Sequence, residues 1–311
     1  MLAAAVLAGG PALPGKSATV GEAFITNQNG DSLTIVELAG MRALGEIHIG
    51  GNPAGIAMSG DGKQAFITAP ESKELIVVDA ATRQIAKRIK VGDGPLGVAV
   101  HPTSGRVYVA DWYSHQLSVV DPAAGTIVAK IAVGDSPSGI AVTPDGRLVL
   151  TADRDSNAVS IIDAATNERI GSVQVGERPF GVTIDAEGKR AYTANVASDD
   201  VSVIDIAARK VVGTVPVGQR PYAVALAGQR AFVTNQYAGT VSVIDLPSLK
   251  VVQTIPVGDH PEGIATDAAG AYVYVACWFD NVLMRIDVAK MAVDGQVAVG
   301  DGPRAFGMFL R

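Results

Sequence analysis

An all-β ring of seven four-stranded blades, a β-propeller, is the fold this sequence predicts, and three observations predict it. First, Pro53, Pro95, Pro137, Pro179, Pro221, Pro261 and Pro303 recur every 42 residues, once every 40, and each closes a Val/Ile-Gly-x-x-Pro phrase. A period near 40 residues marks a unit that cannot bury its own apolar face and must stack on its copies. Second, each unit reads as four short β-rich runs separated by turn signals. The unit from Pro137 gives Pro137–Val142, a Thr143-Pro-Asp-Gly146 turn, Arg147–Ala152, a polar loop, Ala158–Asp163 and Glu168–Gly176. Third, no segment sustains a helical period. Radial closure of such units leaves only short, protected edges.

The elements follow in order. The chain opens on three strands, Glu22–Thr26, Leu33–Glu37 and Leu44–Ile49, without an innermost one. Six complete four-strand units follow, blades 2 to 7, each starting at its proline. An orphan strand, Arg304–Leu310, ends the chain and is expected to complete the N-terminal blade. Pro and Gly are spread evenly, so residues 21–311 read as a single domain despite their length. Residues 1–20 are small and apolar, fit none of the repeat, and resemble the back half of a secretory signal peptide lacking its basic start, or else a disordered extension. A periplasmic or extracellular address follows. No segment is long enough to span a bilayer, and the sole cysteine, Cys277, precludes an intrachain disulfide.

Phrases such as Phe24-Ile-Thr-Asn27, Tyr192-Thr-Ala-Asn195 and Phe232-Val-Thr-Asn235, each followed by a short Val/Ile-rich strand ending in an acid and then by Val-Gly-x-x-Pro, resemble the YVTN family of bacterial β-propeller repeats. The resemblance spans roughly residues 22 to 311 and is specific for fold. For function it implies less, because propellers host many activities. Such propellers are associated with periplasmic quinone-dependent oxidation systems, and related heavy chains of amine dehydrogenases hold a small catalytic subunit; this chain carries no cofactor signature of its own.

Many repeated residues read as parts of the scaffold. Asp79, Asp121, Asp163, Asp205, Asp245 and Asp287 end the third strand of their blades, where a carboxylate caps the following turn. The same capping is expected of the acids two residues before the prolines, Asp93, Asp135, Glu177, Asp259 and Asp301. Function is then sought where copies differ, on the face shared by the loops between second and third strands and between successive blades, here called the top. Flanking the prolines, blades 5 to 7 and the closing strand carry Arg178, Phe180, Arg220, Tyr222, His260, Glu262 and Arg304. In the other top loops, Trp112, Tyr113 and His115 face Trp278 and Phe279 across the repeat, with Tyr237 one column on; both tryptophans of the chain share one column. An aromatic rim suits a partner or ligand surface.

The chain has 31 acidic and 25 basic residues, a formal charge of −6. In the top loops acids such as Asp153, Asp155, Asp199 and Asp200 outnumber the basic set Lys73, Arg154, Arg178, Arg220 and Arg304. Such a field repels nucleic acid and favours a basic protein or cationic ligand, although arginines could hold an anion locally. Hydrolase, zinc-protease and phosphate-loop phrases are all missing. The expectation is a monomeric, non-catalytic binding propeller without cofactor or metal. The alternative is a metal-assisted hydrolase, lactonase or lyase in which His260 and Glu262 form an acid–base pair beside Arg304.

Overall fold

A computed structural model describes residues 21–311; the signal-like stretch 1–20 lies outside the described residues. Twenty-eight strands form seven sheets, antiparallel but for one parallel pair at the closure, arranged as the blades of a propeller, with one short 3-10 turn, Arg154–Ser156. Each blade starts on its proline: Pro179 pairs with Asn195, after which the inner strand slips register before Val182 pairs with Thr193. The same slip follows Pro95, Pro137, Pro221 and Pro261. A proline suits this place because it begins a strand that has no ladder partner for its missing N–H.

The YVTN-like phrase has a structural meaning in each position. Its aromatic residue is buried between blades, as with Phe24, Phe66, Tyr108, Tyr192 and Phe232. Its threonine rivets one blade to the next: the hydroxyls of Thr26, Thr68 and Thr234 donate to the carbonyls of Ala54, Leu96 and Glu262 at 2.9, 2.6 and 2.9 Å. Its asparagine anchors the top loop, for Asn235 Nδ2 donates to Ser242 Oγ at 2.9 Å while its Oδ1 accepts from the Gly218 amide at 3.1 Å. Glycine after the proline is required by crowding at the axis: a Cβ on Gly97 would sit 1.8 Å from the Ser138 carbonyl oxygen.

The C-terminus completes the first blade. Glu22–Asn27, Ser32–Glu37 and Arg42–His48 form three strands, and the last residues add the fourth: Pro303 bridges Asn27, Leu310 bridges Ala23, and the Phe24 amide donates to the Phe309 carbonyl at 2.9 Å. The expected single strand Arg304–Leu310 is shorter in fact. Only Phe306–Met308 is regular, and it pairs in parallel with Gly55–Ala57 of blade 2, so the closing segment joins both neighbours. The third-strand aspartates cap as expected; Asp79 Oδ1 accepts from the amides of Ala81 and Thr82 at 3.0 and 2.7 Å.

The acids before the prolines do the reverse of what their sequence suggests. Their own amides are capped by others, Asp135 and Glu177 by the hydroxyls of Ser156 and Ser198 at 2.8 and 3.0 Å and Asp259 by Asp280 at 2.7 Å. Their carboxylates stay on the surface, Asp135 with 65% of its side chain exposed. The turn is closed from the preceding loop, which leaves these carboxylates available to other partners, as Asp93 is to Lys73 and Asp259 to His260, each at 2.8 Å.

Candidate functional site

The top face is knitted by two recurring contacts. The residue after the second strand donates its amide to the carbonyl before the proline that opens its own blade, as in Trp112 to Gly94, Gln236 to Arg220 and Trp278 to His260 at 2.9, 2.9 and 3.0 Å. The residue closing the same loop, with positive φ, caps the amide before the next proline with its side chain: Asp31 to Asn52, Asn157 to Arg178, Asp199 to Arg220 and Asn281 to Gly302. His115 belongs to this set. Its Nδ1 accepts from the Ser136 amide at 3.0 Å, which places the ring proton of the neutral form on Nε2 and gives the side chain a scaffold role.

Around the axis the side chains form a connected ring. On one side, Phe180 and Tyr222, 7% and 4% exposed, stack with centroids 4.4 Å apart and close on Phe306 at 5.0 and 5.5 Å. Trp112 leans on Phe180 at 6.3 Å and carries the Arg154 guanidinium over its ring at 5.3 Å. These aromatics plug the axis, so Phe180 and Tyr222 support the surface from beneath.

On the other side the ring is polar. Arg304 donates from Nε and Nη2 to the Tyr222 hydroxyl at 2.9 and 2.7 Å and from Nη1 to Gln28 Oε1 at 2.8 Å. Its Nε is also 3.3 Å from Glu262 Oε2. Glu262 is 6% exposed and accepts from Gln236 Nε2 at 2.6 Å, and Gln236 in turn accepts from Arg220 Nε at 2.5 Å. Burial pushes the Glu262 carboxyl upward against the pull of Arg304. Burial also opposes the charge of Arg304, but Tyr222 and Glu262 outweigh it and hold its pKa above the ordinary arginine value.

Outside this ring lie the exposed aromatics. Tyr113 is 70% exposed on blade 3, while Tyr237 and Phe279, each 60% exposed, flank His260 at ring distances of 5.5 and 4.4 Å. Arg220 lies over Tyr237 at 4.7 Å. Trp278 is partly buried and Arg178 is exposed, with no side-chain hydrogen bond among the described residues.

His260 and Glu262, read from sequence as an acid–base pair, are each engaged by other side chains. His260 Nδ1 is 2.8 Å from Asp259 Oδ1, and Glu262 faces inward to Gln236 and Arg304. Among the described residues no group of three or more His, Cys, Asp or Glu is placed to hold a metal ion. Asp153, counted with the exposed acids of the top, is instead fully buried: its Oδ2 accepts from Ser160 Oγ and the Gly134 amide at 2.5 and 3.1 Å, and Oδ1 has no partner. It occupies the anchoring column of Asn27, Asn195 and Asn235, which explains its burial. Cys277 shares that column, and burial pushes its thiol up to about 12, which keeps it protonated and unreactive.

Gln28, Gln236 and Phe306 are site residues that the sequence reading did not single out. Two of them, with Arg154 of the basic set, stand in the column of the two tryptophans, directly after the second strand, and that shared column is the signal that could have found them.

Comparison with known proteins agrees with this architecture. The profile of the YNCE-like beta-propeller matches residues 16–106 and 140–231, more than half of the chain, and that of the NHL repeat matches residues 93–120. No curated protein matches the sequence. Among solved structures, a chain of hydrazine synthase from Kuenenia stuttgartiensis is similar with 25% identity and a TM-score of 0.75, over 82% of this chain and 89% of that one. A functionally unknown protein from Desulfotomaculum acetoxidans DSM 771 is similar with 15% identity and a TM-score of 0.80, over 93% and 98% of the two chains. The dihydro-heme d1 dehydrogenase NirN, in complex with DHE, is similar with 14% identity and a TM-score of 0.70, over 94% and 76%. No helix of the described residues is long and apolar enough to cross a membrane.

Proposed function

Because the chain belongs to the YNCE-like beta-propeller family, whose scaffold does not dictate an activity, we propose from its site that it is a non-catalytic binding propeller that receives a partner protein or small ligand on its top face. One observation carries this reading. The blades that depart from the repeat place their departures side by side, as a buried chain from Arg220 through Gln236 and Glu262 to Arg304, bordered by the exposed rings of Tyr237 and Phe279. Exposed aromatics over a braced polar base are the composition of interface anchors. The likeness to a chain of hydrazine synthase supports a place as one chain of an enzyme assembly, and the YVTN-like phrases imply that the assembly is a periplasmic quinone-dependent oxidation system. The address would be periplasmic or extracellular, and the working form a monomer.

The test uses the full chain as bait beside a Tyr113→Ala, Tyr237→Ala, Phe279→Ala triple variant. The expected result is a partner or ligand retained by the wild type, lost from the variant, and released more readily as salt rises, since the free acids of the rim steer basic partners. Equal retention by both proteins would refute the reading. Turnover of a lactone that disappears with His260→Ala would replace it with the hydrolase.

A further inference from the structure

A long side chain on a surface loop usually keeps its rotamer freedom, which is lost only at a cost. Arg220 has lost it. Its Nε donates to Gln236 Oε1 at 2.5 Å, and its guanidinium carbon lies over the Tyr237 ring, 4.7 Å from the ring centre. Gln236 is fixed in its turn by Glu262 at 2.6 Å, and both supports are buried. The two terminal NH2 groups of Arg220 have no partner among the described residues.

The support is costly and is not something a blade requires. Among the described residues, Oε2 of the buried Glu262 accepts no hydrogen bond, and the charged group in contact with it is Arg304. The column of Gln236 holds Pro70, Arg154 and Val196 in other blades, and the column of Glu262 holds Ala54, Leu96 and Ser138. Those blades fold without the brace. A guanidinium held from one edge and one face, with its outer fork unoccupied, is the arrangement that receives a planar carboxylate through two parallel hydrogen bonds.

We propose that Arg220 anchors a site for a small organic monocarboxylate, whose body lies against the exposed rings of Tyr237 and Phe279. The inference rests on the top face being a binding surface and names the chemistry that lands at its centre. The nearby acids do not exclude such a ligand: Asp199 accepts the Arg220 amide, Asp259 Oδ1 lies 2.8 Å from His260 Nδ1, Asp280 accepts the Asp259 amide, and the guanidinium of Arg178 on the preceding blade has no side-chain partner among the described residues. A monoanion fits this setting better than a phosphate dianion, which the surrounding acids repel more strongly.

Both tryptophans of the chain, Trp112 and Trp278, lie in the top loops, so intrinsic fluorescence reports on this region. The full chain is titrated at constant ionic strength with benzoate, benzylamine and inorganic phosphate. Benzoate is expected to give a saturable change that the other two do not. Arg220→Gln and Arg220→Lys, checked by thermal melting to be folded like wild type, should each weaken benzoate by about tenfold or more, since lysine keeps the charge but loses the fork. The absence of a saturable benzoate response, an equal response to benzylamine or phosphate, or unchanged benzoate affinity in folded Arg220→Gln would each overturn the proposal. A wild type that ignores benzoate yet retains a protein partner on its top face would overturn this inference and leave the proposed function standing; loss of both would overturn both.

Discussion

Asp153 is a carboxylate in a column where three blades use an amide, Asn27, Asn195 and Asn235. Asn235 satisfies a serine hydroxyl and a glycine amide at once, as donor to one and acceptor from the other, whereas Asp153 can only accept when ionised, and its Oδ1 is left without a partner. Burial accordingly pushes its carboxyl from 3.8 up to about 7. The sign of the linkage follows. Between those two values the folded chain binds a proton that the unfolded chain has released, so stability is highest at the acid end and falls as pH rises toward about 7. At about 1.4 kcal/mol per unit, the loss is on the order of 4 kcal/mol. Asp153→Asn should restore the donor, raise the melting temperature at pH 8, and flatten the stability curve between pH 5 and 8 measured by denaturant unfolding. A variant no more stable than wild type at pH 8 would show that Asp153 does not carry this cost. Sequence placed Asp153 among exposed loop acids because it stands beside Arg154 and Asp155; only alignment with Asn27, Asn195 and Asn235 reveals it as an anchor.

At the scale of the loops and strands, the repeat separates what holds the propeller from what is free to vary. The inter-blade threonine is a holding element: Thr234 links its own inner strand and the Glu262 carbonyl of the next blade. Thr234→Val should leave that buried carbonyl without its partner and cost about 1–3 kcal/mol in unfolding free energy; an unchanged midpoint would deny the rivet its role. The acids before the prolines are the opposite case. Asp135, Glu177 and Asp301 accept no hydrogen bond from the turns that contain them, so reversing all three to lysine should leave the melting temperature nearly unchanged while slowing association with a basic partner and weakening its salt dependence. A large fall in melting temperature would return them to the capping role that their sequence position suggests. The elements were legible because period, proline and turn signals act locally. The candidate site was legible only in part: Arg220, Tyr237, His260, Phe279 and Arg304 stand out as departures from the repeat, but the chain through Gln236 and Gln28 depends on contacts between residues as far apart as Gln28 and Arg304, which no local pattern shows.

On the scale of the whole ring, closure and site share one residue. Arg304 enters on the closing segment and touches Tyr222 of blade 6, Glu262 of blade 7 and Gln28 of blade 1, while its own amide donates to the Thr26 carbonyl at 2.8 Å. The last eight residues therefore complete the first blade and brace the top of two others, blades 6 and 7. Repeat arrays without such closure open from their ends, because each unit contacts only its neighbours. Deleting residues 304–311 removes the hydrogen bonds from Phe24 and Glu22 to the closing segment, uncovers the buried Phe24 and strips Glu262 of its charged partner. The truncated chain should lose far more stability than a loop deletion of equal length, and hydrogen exchange should be faster first in Glu22–His48. Arg304→Ala tests the latch alone. Leaving Glu262 buried without a counter-charge should cost about 3–5 kcal/mol, and restoring neutrality with Glu262→Gln in the same chain should recover part of it. A double variant no more stable than Arg304→Ala, or a truncated chain that melts within a few degrees of the full one, would show that the ring is held by its blade interfaces alone and that Arg304 serves the site without locking the ring.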